Sequence, residues 1–142
     1  MKLNAKKFTM AAIVSVVLAI TMEFALHSLI LGETYREPQY ATLWNPLNIM
    51  QARQPFMFLA HLLFGFTFTL IYTQGYEPSK SAVGQGLRYG LLIGLLAPVH
   101  GSLVEYFVYP VSGGLAVAWS MGGVIESMIL GTVVALIYRP KS

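Results

Sequence analysis

Residues 8–31 read FTMAAIVSVVLAITMEFALHSLIL. A helix needs about 20 mainly apolar residues to cross the hydrocarbon core of a bilayer, and this run is long enough. Its only ionisable side chains are Glu23 and His27, both well inside it. Charged groups at such depth are costly, turn toward the protein interior and pair with one another. The first span therefore fixes the class of fold and poses the functional question together.

Composition agrees with that reading. Of the 142 residues, 56% are hydrophobic and 11% are charged, where a soluble domain carries about 25% charged residues. The mean hydropathy is +0.62. The length suits one domain over residues 1–142. All 6 acids are Glu, and there is no cysteine. Disulfides, thiolate metal sites, thiol redox chemistry and cysteine lipidation are thereby excluded. The net charge of +3 does not point to nucleic acid, because the basic residues flank the apolar runs, where membrane orientation places them.

Three further runs complete an all-α integral membrane protein, a bundle of four transmembrane helices. The spans are about 8–31, 55–72, 83–109 and 115–138. Pro55 suits a first helical turn, and PLNIMQA ahead of it suits a short helix lying on the membrane surface. Lys2, Lys6 and Lys7 precede the first span as in a signal peptide. The run exceeds an h-region of about 7–15 residues, and no A-x-A-like site follows it, so a retained helix is expected. Lys2, Lys6, Lys7, Lys80, Arg88, Arg139 and Lys141 fall on one side, Arg36 and Arg53 on the other. The excess of Lys and Arg marks the cytoplasmic side. Both termini are then inside, and a long loop between the first two helices is outside. The expected location is a bacterial cytoplasmic membrane. Trp44, Tyr72, Tyr76, Tyr109 and Tyr138 fit headgroup depth.

Gly86, Gly90 and Gly94 recur every four residues and share a helix face, which Pro98 and Ser102 continue. Gly123, Ser127 and Gly131 do the same on the fourth span. Small residues in register let helices approach closely in lipid, which predicts tight helix packing or a homo-oligomer. GQGLRYG follows no predicted strand, so it is not a phosphate loop.

Each span also carries an ionisable residue away from its ends: Glu23 and His27, His61, His100, and Glu126. At 1.5 Å per residue, Glu23 lies about 12 Å and His61 about 9 Å from the outer ends of their helices. Glu23 and His27 are four apart and share a face. Glu105 is about 140° round from His100 on an ideal helix and joins the group only if Pro98 distorts it. Glu and neutral His together suit a transition metal (Fe, Zn, Mn or Cu), and two of the three His could ligate haem. Against a di-metal centre, the Glu23-x-x-x-His27 spacing departs from the usual Glu-x-x-His. A proton relay is the third chemistry open to this set.

In size, span number and a Glu in its first helix the chain resembles the small multidrug-resistance-type transporters. The long external loop and the three deep His depart from that pattern. Three functions follow as expectations. The leading one is a metal or redox-cofactor site serving electron transfer or oxidation of a lipid-soluble substrate. The others are a non-catalytic subunit packing on other membrane subunits through its glycine rows, and an oligomeric proton-coupled transporter using Glu23 or Glu126.

Overall fold

The computed structural model describes residues 3–139; Lys2 and Lys141 of the charge pattern lie outside them. The described chain is helical throughout its ordered elements, with no strand. Four helices are long and apolar enough to cross a membrane: α1 (Ala5–Ile30), α2 (Leu47–Gln74), α3 (Ala82–Val108) and α4 (Gly113–Tyr138).

Local chemistry sets their ends. The Asn4 side chain accepts from the Lys7 N–H, Ser81 from Gly84 and Ser112 from Leu115, so α1, α3 and α4 each begin on a polar cap that satisfies an otherwise orphaned donor. Two stretches wind as π-helix: Ala25–Ile30 closes α1, and Leu95–Val99 interrupts α3 around Pro98. Pro98 has no N–H to continue the ladder and its ring crowds the preceding turn, so the helix widens there instead of stopping. Pro55 differs from its expected place in a first turn. It sits inside α2, which runs unbroken from Leu47, so PLNIMQA is the beginning of α2 and not a separate surface helix. One missing hydrogen bond does not end a helix whose other turns are intact.

Packing is closest between α3 and α4. A Cβ placed on Gly86 would lie 2.6 Å from Thr132 Cα, and one on Gly90 would lie 2.5 Å from Met128 Cα and meet the Ser127 carbonyl oxygen. On the other pair, a Cβ on Gly65 of α2 would come within 2.5 Å of Val16 on α1. α1 and α4 join the two pairs. The core where the helices meet comprises Ala11, Ala19, Phe68, Tyr72, Leu130, Val134, Ala135 and Tyr138. The Asn4 N–H donates to the Tyr138 hydroxyl at 3.5 Å, and the Lys7 ammonium donates to the Arg139 carbonyl. Both ends of the described chain therefore lie at one end of the helices, here the termini end.

At the other, loop end, Leu31, Tyr40, Val111 and Leu115 form a smaller cluster. The buried Tyr40 donates to Ser112 Oγ at 2.9 Å and accepts from the Ser112 N–H at 3.3 Å, which seats the first loop on the start of α4. Between the two ends, α2 and α3 part. Every residue from 51 to 60 is exposed, and Leu103, Val104 and Phe107 of α3 are exposed as well.

Candidate functional site

A cavity of about 740 Å3 occupies the loop-end half, where α2 and α3 separate. That is the size of a small-molecule site. All four helices and the first loop supply its walls. Glu23 and His27 come from α1, His61 from α2, Glu105 from α3, Glu126 from α4, and Trp44 and Asn45 from the loop.

The centre of the site is a contact between α1 and α2. His61 is 8% exposed. Its Nδ1 lies 2.8 Å from the Met57 carbonyl oxygen, and its Nε2 lies 3.1 Å from Glu23 Oε2. A carbonyl only accepts, so Nδ1 carries a hydrogen and donates to Met57. The Nε2–Glu23 bond then requires one further proton. Either the carboxyl holds it and donates to a neutral imidazole, or the imidazolium holds it and donates to the carboxylate. The contact can thus be drawn in two hydrogen-bonded forms that differ in which group carries that proton. The Glu23 side chain remains 52% exposed and lines the cavity.

A second contact ties the loop to the helices. His27 Nδ1 lies 2.6 Å from the Tyr35 hydroxyl, and Trp119 Nε1 of α4 donates to that same oxygen at 2.7 Å. The His27 and Tyr35 rings stack with centroids 5.9 Å apart, and Trp44 meets Tyr35 edge-on at 5.2 Å. Burial raises the Tyr35 hydroxyl above its ordinary value of 10.0, opposed by the Trp119 hydrogen bond and reinforced by the Glu105 charge. The π-helical close of α1 presents His27 to this contact; single widened turns of this kind recur at functional sites.

Five side chains named from the sequence fall as follows. Glu23, His27, His61 and Glu126 line the one cavity, whereas His100 is exposed and does not. Glu105 takes its place. The reason is the face of α3 that the cavity uses. Pro98 packs on Gly123, Ser102 is buried, and Pro98, Gly101, Ser102 and Glu105 all line the cavity. This side continues the Gly86, Gly90 and Gly94 row, all three of which face α4. His100, two residues after Pro98, is turned roughly 200° away on a helix.

The geometry lends the metal expectation no support. Among the described residues no group of three or more His, Asp or Glu side chains could hold a metal ion. Both ring nitrogens of His61 are engaged, and Nδ1 of His27 is bonded to Tyr35. His100 stands outside the cavity, which removes the third imidazole from any shared ligand set. Sequence reasoning also missed Tyr35, Asn45 and Trp119. The only signal for Trp119 was an indole within a predicted span, where its N–H needs a partner; nothing near Tyr35 in the sequence marks its reach back to His27.

No family model, no curated protein and no solved structure matches this chain. The site must be read from its own chemistry.

Proposed function

We propose that the protein is a membrane-embedded binding protein of the proton-coupled transporter kind. Its cavity takes up a small membrane-soluble solute, and the Glu23–His61 pair exchanges a proton as it does so. The four helices cross the bilayer with both termini on the cytoplasmic side and the first loop outside, following the Lys and Arg asymmetry. The cavity then lies in the outer half of the membrane. The observation that carries this reading is the 3.1 Å contact between Glu23 and His61 on the wall of an open cavity. An acidic group at a helix centre costs about 2.5–3.5 kcal/mol on insertion scales, and a structural pair would be expected to be sealed away from water. This one faces a space large enough to hold both water and a ligand.

Infrared titration of the protein in bilayer nanodiscs tests the proton step. One carboxyl absorption should vanish in Glu23→Gln and shift in frequency in His61→Ala, which removes its hydrogen-bond partner. A carboxyl spectrum that neither substitution changes sinks the proposal.

A second reading, a subunit of a larger membrane assembly, is favoured by residues 51–60, which are exposed on every side of α2. Cross-linking from Met57 or Phe58 in native membranes distinguishes the two. A discrete adduct to another protein supports the assembly, and no adduct beyond lipid supports the isolated transporter.

A further inference from the structure

A second cleft, of about 540 Å3, opens at the termini end, between the last turn of α2, the first turns of α3 and the turn that joins them. It shares no lining residue with the loop-end cavity. Lys80 and Arg88 both line it, with Glu77. The Lys80 ammonium lies 2.7 Å from Glu77 Oε1, so these two charges answer each other. Arg88 is exposed. It belongs to no ion pair among the described residues, since these are Arg36–Glu33, His61–Glu23 and Lys80–Glu77. A guanidinium offers its donors in a planar fork that fits two oxygens of one phosphate.

The rim of the cleft is held before any ligand arrives. The Gln85 side chain accepts from the Glu77 N–H at 2.9 Å and donates to the carbonyls of Glu77 at 2.9 Å and Lys80 at 3.2 Å. These bonds fasten the joining turn to α3. The Tyr89 hydroxyl donates to the Phe68 carbonyl, and the two rings meet edge-on at 4.7 Å, which sets the spacing of α2 and α3. Less ordering is then left for a ligand to impose.

The walls beyond the cations are apolar. Ile71 of α2 is 48% exposed and Leu92 of α3 is 56% exposed, and both line the cleft. Leu92 follows Arg88 by four residues, so it lies on the same face about 6 Å further toward the middle of the helix. An occupant that uses the whole cleft presents an anionic group to Arg88 and a hydrocarbon chain to Ile71 and Leu92. A small soluble anion gains nothing from the apolar walls, and a zwitterionic lipid brings a cation of its own to a basic site.

From these features, and resting on the four helices crossing the bilayer but not on any role of the loop-end cavity, we propose that this cleft binds an anionic phospholipid. Arg88 holds the phosphate, with Lys80 beside it, and an acyl chain runs between α2 and α3 over Ile71 and Leu92. On the orientation given by the Lys and Arg asymmetry the lipid belongs to the cytoplasmic leaflet, where basic pockets between helices take such headgroups.

Native mass spectrometry of the full chain in an uncharged detergent tests this with three probes: dioleoylphosphatidylglycerol, dioleoylphosphatidylcholine and glycerol 3-phosphate. The first phosphatidylglycerol should reach half-occupancy at a concentration at least about tenfold below phosphatidylcholine, a ratio equivalent to 1.4 kcal/mol. Glycerol 3-phosphate, which has no chains, should leave no adduct over the same range. Arg88→Gln should bring the ratio of the two lipids toward unity. Arg53→Gln removes the same charge from the loop end of α2 and should leave the ratio unchanged. A ratio near unity in the unaltered chain overturns the anionic class. Glycerol 3-phosphate bound as tightly as the lipid overturns the lipid as occupant. A ratio that Arg88→Gln does not lower, or that Arg53→Gln lowers as much, overturns the site.

Discussion

The same four helices behave differently at their two ends. At the termini end, α3 and α4 touch backbone to backbone along Gly86, Gly90 and Gly131, and aromatic rings fill the space beside them: Phe68, Tyr72, Tyr89 and Tyr138 stand at centroid distances of 4.7 to 6.3 Å in successive edge-on pairs. At the loop end, α2 and α3 separate, both π-helical stretches occur, and the wall is built of carboxyls, imidazoles and indoles. In lipid the hydrophobic effect does not hold helices together, so close packing must. Concentrating that packing in one half frees the other half to stay open, irregular and polar. The comparison makes the glycine contact the foundation of the site, though none of its glycines except Gly123 lines the cavity.

The largest expected effect lies in the packed half. Gly90→Leu must push apart two backbones, since even a Cβ would lie 2.5 Å from Met128 Cα. The loss should reach or exceed the upper end of the about 1–3 kcal/mol typical of overpacking, read as a fall in the thermal or denaturant midpoint in detergent. Gly101 is its counterpart in the open half, with nothing within 4 Å of an added Cβ. Gly101→Ala should be neutral or stabilise by up to about 1 kcal/mol through helix propensity. If both variants behave alike, the two halves do not differ in packing as described.

Next in size is the polar pair. His61→Ala leaves Glu23 without its partner. A deserted buried acceptor costs about 1–3 kcal/mol, and the half-exposed Glu23 side chain places this variant near the lower figure. His61→Ala in a Glu23→Gln background should cost clearly less, and a double-mutant cycle measures the difference. A coupling near zero would mean the 3.1 Å contact contributes nothing.

A smaller effect is expected for Tyr35→Phe, which removes the hydroxyl shared by His27 and Trp119. Each net hydrogen bond is worth about 0.5–1.5 kcal/mol. The change should appear in hydrogen exchange of residues 33–46 and leave the termini end unmoved. The raised Tyr35 hydroxyl gives the sign with pH. The folded form keeps its proton more tightly than the unfolded one, so the stabilisation is whole below the ordinary value of 10.0 and is lost as pH climbs beyond it. Loop protection that is already lost between pH 7 and 9 contradicts this.

The smallest effect belongs to Tyr72 in the packed half. Its buried hydroxyl has no hydrogen-bond partner among the described residues. Tyr72→Phe removes a desolvated polar group and keeps the ring, so it should be neutral or mildly stabilising. A clear loss would reveal a partner for that oxygen.

The number and helical nature of the apolar segments are legible in the sequence because the bilayer demands length and apolarity in one continuous run. The row of glycines at spacing four is legible for the same kind of reason: a regular helix carries it on one face. The site is harder to read. Glu23 and His27 mark themselves by lying within the first span, but no sequence feature says which helix His61 meets. Assigning His100 and Glu105 required knowing that α4, through Gly123 and Pro98, and not the opposite side of α3, bounds the cavity. The contribution of Tyr35 was hidden because it comes from an irregular loop, where periodicity carries no information. Pro55 misled by offering a helix start where α2 simply continues.

The contact that brings Tyr138 and Arg139 back to Asn4 and Lys7 has a consequence for how the chain is made. Synthesis runs from the first helix to the last, at about 5–20 residues per second. Glu23 enters the bilayer first and waits only for α2 to bring His61. That pair is complete while α3 and α4 are still unmade. Trp119, which bonds Tyr35 of the first loop, and Glu126, which lines the cavity, arrive with α4, and Tyr138 reaches Asn4 after them. A nascent chain stopped before α4 thus holds a satisfied hairpin with an untethered loop. α4 then ties that loop through Tyr40 and Tyr35 alone, and most of its other residues stay exposed.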